Sequence, residues 1–147
     1  MRVLVHRQFE VARSMSVVWS NLARPAAWPS WAKHIKSVDI EPPGLLTASS
    51  SGVVRLRNGV RSRFDVVTFS EGQRWMWAGK FLWLRIEYDH VLEAVTPDRT
   101  RVTFDVAGGG FGAGSIGRLF AWIYAGNLDK AIPNLVAEIE GAGEPAK

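Results

Sequence analysis

Few residues in this chain have the type and spacing that chemistry needs. His90 stands two positions beyond Tyr88. Residues two apart on a strand share a face, so an imidazole and a phenol point the same way. Such a histidine orients a ligand carbonyl or hydroxyl, or moves a proton. It is equally what a hydrogen-bonded core histidine looks like. The run Gly112-Ala113-Gly114-Ser115-Ile116-Gly117 matches G-x-G-x-x-G. A dinucleotide site would need a parallel strand to follow, with an acidic residue about 20 positions on. Here helix follows instead, so the glycines read as the point where the chain leaves a sheet. Arg55, Arg57, Arg61 and Arg63 alternate. Few aromatics interleave with them, so a solvated face is expected and not a nucleic-acid surface.

Other chemistries find no foothold. His6 and His34 share no ligand spacing with His90, so no metal site is expected. The sequence has no cysteine, which excludes a thiolate nucleophile, a disulfide framework and a cysteine zinc site. No serine sits in a nucleophile-elbow pattern. The carboxylates alternate outward on strands, so no paired-carboxylate site forms. No cofactor is expected.

These residues need elements to position them. Residues 2–11 alternate, with Val3, Val5, Phe9 and Val11 on one face, which predicts a half-buried strand. Ser14 is a candidate N-cap for a short helix through Val17, Val18 and Leu22. Pro25 opens a second short segment carrying Trp28 and Trp31, and Pro29 keeps it short. Strand patterns resume near Ile35 and continue to Val106, punctuated by Pro42-Pro43-Gly44, a loop-like stretch 47–52, Asn58-Gly59, Glu71-Gly72 and Pro97-Asp98. Ser62, Phe64, Val66 and Thr68 share one face; Leu84, Ile86, Tyr88, His90, Leu92 and Ala94 share another. Trp75-Met76-Trp77-Ala78 is apolar on both faces, so its inward side is ambiguous. After the glycines, residues 115–141 read as one long helix. Its apolar stripe runs Ile116, Leu119, Phe120, Ile123, then shifts past Gly126 to Leu128, Ala131, Ile132, Leu135 and Ile139. That shift, with Pro133, predicts a kink near 126–133.

At 147 residues the chain has the usual size of one domain; residues 1–147 read as one unit, with 142–147 a frayed tail. Seven tryptophans and seven phenylalanines supply either a bulky core or a ring-lined cavity. The formal net charge of +4 is mild and scattered. No window reaches the roughly 18 apolar residues of a membrane span, and the N-terminus has no signal-peptide pattern. The protein is expected in the cytoplasm, as a monomer or homodimer, with no stable membrane insertion.

The order is strand, two short helices, about six strands joined by hairpins, then a long helix, which makes a sheet of about six to seven strands. Successive hairpins make the sheet antiparallel, and its apolar face must be covered. The last helix is the one large cover available, and a curved sheet wrapped on it leaves a cavity. Val18-Trp19, Trp28-Pro29-x-Trp31, Trp75-x-Trp77, His90 and Gly114-x-x-Gly117 before a long helix carry a resemblance over nearly the whole chain. It is similar to the helix-grip, START-like superfamily, and within it to the bacterial polyketide cyclase/dehydrase and lipid-transport group. The resemblance implies an α+β helix-grip fold with a deep pocket between sheet and C-terminal helix.

The expected pocket lining on the strands is Phe64, Val66, Trp77, Ile86, Tyr88, His90 and Phe104. On the helix it is Phe120, Ile123 and Tyr124. Gly112, Gly114 and Trp28 are expected at the mouth. The expected function is binding of a small hydrophobic molecule, a lipid or a polyketide-like aromatic. Alternatives are an aromatase/cyclase or dehydratase acting in the same pocket, with His90 the catalytic candidate, and a regulatory interaction module without ligand.

Overall fold

A computed structural model of the chain describes residues 2–110 and 114–142. The elements run β1 (Arg2–Val11), α1 (Met15–Leu22), a 3₁₀ helix (Pro25–Ser30), β2 (Ile35–Glu41), β3 (Ser51–Leu56), β4 (Arg61–Ser70), β5 (Arg74–Phe81), β6 (Leu84–Thr96), β7 (Arg99–Gly109) and α2 (Ile116–Ala142). The seven strands form one antiparallel sheet in the order β1-β7-β6-β5-β4-β3-β2. The hairpins place β2 through β7 in sequence order, and β1 closes the far edge beside β7. The chain therefore crosses from one sheet edge to the other through α1 and the 3₁₀ helix. Ser14 does cap α1: its hydroxyl accepts from the Val17 N–H at 3.4 Å.

The turns fix the register of the hairpins. At Asn58-Gly59 the Leu56 N–H donates to Val60 O, and Gly59 takes φ +93°. This is a three-residue hairpin loop with glycine in the left-handed position. The β5–β6 turn has only Leu82 and Trp83 between Phe81 and Leu84, which pair. Leu82 takes φ +56° there, in a place where glycine is the rule.

The structure corrects the reading of both ends. In β1 a bulge falls between Val3 and Val5, so Val3 is exposed and Leu4 packs on the core. A bulge adds one residue to one strand and breaks the period of two. Leu4 fits because Gly108 and Gly117 lack side chains. A Cβ on Gly108 would lie 2.8 Å from Leu4 Cδ1, and one on Gly117 3.1 Å from Leu4 Cδ2. The first turn of α2 thus closes on β1.

α2 runs unbroken from Ile116 to Ala142 with Pro133 inside it. The buried positions are Gly117, Phe120, Leu128, Ala131, Leu135 and Ile139, with Tyr124 half-buried between them. This is one stripe at spacings of three and four, with no rotation at Gly126. Leu119 and Ile123, assigned inward from the sequence, are exposed. The surplus of apolar residues on the first half of the helix allowed two stripes, and tertiary packing selects one. Polar contacts hold the second half: Arg7 Nε donates to Asp129 Oδ1 at 2.7 Å, and the Ala12 N–H to Glu140 Oε2 at 2.9 Å. The predicted frayed tail 142–147 starts one residue too early, since α2 includes Ala142; residues 143–147 lie outside the described residues. No helix among those described is long and apolar enough to cross a membrane.

Candidate functional site

Between the inward sheet face and α2 lies a cavity of about 470 Å³, within the range of small-molecule sites. Alternation along the central strands builds its wall. Trp75 and Trp77 share one parity on β5, and both point in. The register then sets Trp75 opposite His90, and His90 opposite Phe104. Trp77 stands opposite Tyr88. Trp28 and Trp31 arrive from the 3₁₀ helix, and Phe120, Tyr124, Leu128 and Ala131 from α2. The rings pack edge to face or tilted: Phe64 on Trp77 at 4.0 Å between centroids, Trp28 on Trp77 at 5.0 Å, Tyr88 near Tyr124 at 5.6 Å.

Few polar groups face this space. His90 is buried, and its Nδ1–H donates to the Trp75 carbonyl at 3.3 Å. That bond selects the tautomer and leaves Nε2 as an acceptor. Burial pulls the His90 pKa down to about 4, against smaller upward contributions from the Trp75 carbonyl and Asp89. The ring is neutral at neutral pH. Burial pushes the Tyr88 and Tyr124 phenols far up, so both stay protonated. Among the described residues, neither hydroxyl has a hydrogen-bond partner. The buried indole N–H of Trp75 also has none. The Trp28 indole, by contrast, donates to Leu22 O at 2.9 Å.

Of the residues expected to line a pocket, Phe64, Trp77, Tyr88, His90, Phe104, Phe120, Ile123 and Tyr124 stand on the cavity wall. Val66 and Ile86 do not. Ile86 is fully buried beside Gly108, in the corner that Leu4 fills. Val66 lies where the Val66 N–H donates to Ser50 O, under the loop before β3. The mouth also differs from expectation. Trp28 is buried deep in the wall, and Gly114 lies near Arg2 against β1. Gly112 lies outside the described residues. Exposed rim positions come instead from Val60 just before β4 and Arg61 at its start, Lys80 and Leu82 at the end of β5 and its turn, and Ile123 of α2.

Sequence reasoning missed Trp75, His34 and Asn127 as wall residues. The shared parity of Trp75 and Trp77 was a usable signal, since one inward tryptophan implies the other. Asn127 had none, because a polar residue beside an apolar stripe reads as a surface position.

The comparisons with known proteins agree with this architecture. A structure from Thermobifida fusca superposes with TM-score 0.73 at 13% identity, covering 97% of each chain. A START superfamily protein from Mycobacterium smegmatis superposes with TM-score 0.65 at 21% identity, covering 92% of this chain and 97% of that one. DynU16, from the dynemicin biosynthetic locus, gives TM-score 0.68 at 18% identity over 94% of this chain and 47% of its own. These identities bear on the fold alone, which is the helix-grip fold. Comparison with curated proteins found no match. Residues 2–140 match the family model described as polyketide cyclase / dehydrase and lipid transport, and the chain belongs to that family.

Proposed function

We propose that the protein binds a small hydrophobic molecule, flat and aromatic or lipid-like, in the cavity between sheet and α2. One observation carries this reading: a ring-walled space of about 470 Å³ into which only a few unpaired polar groups open. Apolar burial supplies the affinity, and the sparse polar set fixes orientation. His90 Nε2 accepts a hydrogen bond from a ligand hydroxyl, while the Tyr88 and Tyr124 hydroxyls give or take a further hydrogen bond. The family's description, which joins polyketide and lipid chemistry, supports the same ligand class.

Binding is favoured over turnover by the surroundings of His90. Its neighbours within ring contact are Trp75, Trp77 and Phe104. A second titratable group within hydrogen-bond reach of His90 would favour acid–base turnover, and among the described residues His90's one hydrogen bond goes to a backbone carbonyl.

The test is native mass spectrometry of the purified protein before and after organic extraction, with tryptophan quenching by 1-naphthol on the extracted protein. A co-purifying small molecule, and saturable quenching abolished by the cavity-filling variant Leu128→Trp, are expected. No bound mass and no saturable quenching would overturn the reading.

A further inference from the structure

A second cleft of about 270 Å³ opens beside the main cavity. Trp31, His34, Asn127 and Ala131 line both. The rest of its wall is Lys33, Lys130 and Asn134. Among the described residues no carboxylate lines it.

Of the polar side chains here, Asn134 is committed, its Nδ2 donating to the Trp31 carbonyl at 3.3 Å, and the others keep free hydrogen-bonding capacity. Lys130, Asn127 and Asn134 share a face of α2 at spacings of three and four. The helical neighbours of Lys130 one turn away are Gly126, Asn127, Pro133 and Asn134, none of which carries charge. The adjacent Asp129 is bound to Arg7. Lys33 Nζ donates to Ser30 O at 2.6 Å, which fixes its position and leaves two donors. Glu138 accepts from Ser30 Oγ at 2.7 Å and makes no ion pair with Lys33. Among the described residues, Lys33 and Lys130 have no ion pair, and the side chains of His34 and Asn127 have no hydrogen-bond partner. Burial lowers the His34 pKa, so its ring offers neutral hydrogen bonding beside the two cations.

We propose that this cleft holds the anionic end of the molecule whose apolar body fills the main cavity, which makes the ligand an amphipathic carboxylate or phosphate. The proposal rests on the cavity being a binding site. Trp31 and Ala131 form the apolar threshold between the two spaces. Lys33 and Lys130 supply the charge, and Asn127 and His34 the directed hydrogen bonds.

The experiment titrates the extracted protein calorimetrically with 1-decanol, decanoate, decyl phosphate and inorganic phosphate. Decyl phosphate and decanoate should bind about tenfold or more tighter than decanol, a difference of about 1.4 kcal/mol. Salt at about 1 M should compress that preference. The double variant K33Q/K130Q should erase it without changing decanol affinity. Equal binding of decanol and decyl phosphate, or a preference surviving in K33Q/K130Q, would overturn the anion site and leave the apolar cavity standing. Lysine-dependent binding of inorganic phosphate without any alkyl probe would make the cleft a free-anion site and overturn the cavity reading with the amphipathic one. Binding of none of the four overturns both.

Discussion

The imidazole of His90 lies flat on the indole of Trp75, with ring centroids 4.0 Å apart and planes 9° from parallel, and donates to the backbone carbonyl of the same tryptophan. One residue thus supplies both the stacking surface and the hydrogen-bond acceptor. The pair is set by register, since Trp75 and His90 face each other across β5 and β6. Phe104 meets the imidazole edge to face at 5.0 Å, and burial among these rings disfavours a charge on it.

That environment makes stability depend on acid. The unfolded chain binds a proton at the ordinary histidine value of about 6.5, while folded His90 resists until about 4. The unfolded state therefore binds more protons between these values, and stability falls as pH drops through that window. The loss from His90 is about 3 kcal/mol when complete. His34, lowered by burial, adds loss of the same sign. Urea unfolding at pH 7, 5.5 and 4.5 should show the decline, and His90→Phe should flatten it without abolishing it. An unchanged slope in His90→Phe would show that its charge is not what the fold resists.

Tyr124→Phe and Ile86→Ala should separate the cavity wall from the packed core. The Tyr124 hydroxyl has no partner, so its removal should shift stability by less than about 1 kcal/mol while altering the preference among hydroxylated and plain aromatic ligands. Ile86 is fully enclosed, and its truncation should cost about 2–5 kcal/mol. Chemical denaturation reads both, and similar losses would contradict this division.

Glycine substitutions should split by what a new methyl meets. Nothing lies within 4 Å of a Cβ on Gly126, in the exposed face of α2. Gly126→Ala should stabilise by about 0.5–1 kcal/mol through helix propensity alone. A Cβ on Gly52 would sit 2.0 Å from Asp39 O, so Gly52→Ala must push β3 off β2 and should lower the melting temperature. Thermal unfolding of the two variants in opposite directions is the expected result.

Leu82→Gly should relieve the turn between β5 and β6. A left-handed conformation costs a branched residue about 1–2 kcal/mol, partly offset by glycine's extra freedom when unfolded. A net gain of up to about 1 kcal/mol is expected from denaturant midpoints. A net loss would mean that the exposed Leu82 side chain contributes more at the cavity rim than its backbone costs.

Much of this molecule follows from local pattern. Alternation of two placed Phe64, Tyr88 and His90 on inward faces, because a strand cannot turn one of them without turning all. Asn58-Gly59 and the glycines before α2 marked ends of elements for the same local reason. The sequence alone did not pair Trp75 with His90. Their register depends on a turn made of Leu82 and Trp83, which carries no turn signature. Nor could periodicity decide which apolar stripe of α2 faces inward, since Leu119, Trp122 and Ile123 compete with Phe120 and Tyr124 for burial. That choice follows from Leu4 seating between Gly108 and Gly117, a contact between opposite ends of the chain. Local pattern fixes the face of a side chain, and what stands opposite that face is fixed by packing. Hence Ile86 and Val66 share a face with the cavity wall yet lie outside it. Lys33, His34, Asn127 and Lys130 meet at one cleft although their sequence neighbourhoods give no sign of it.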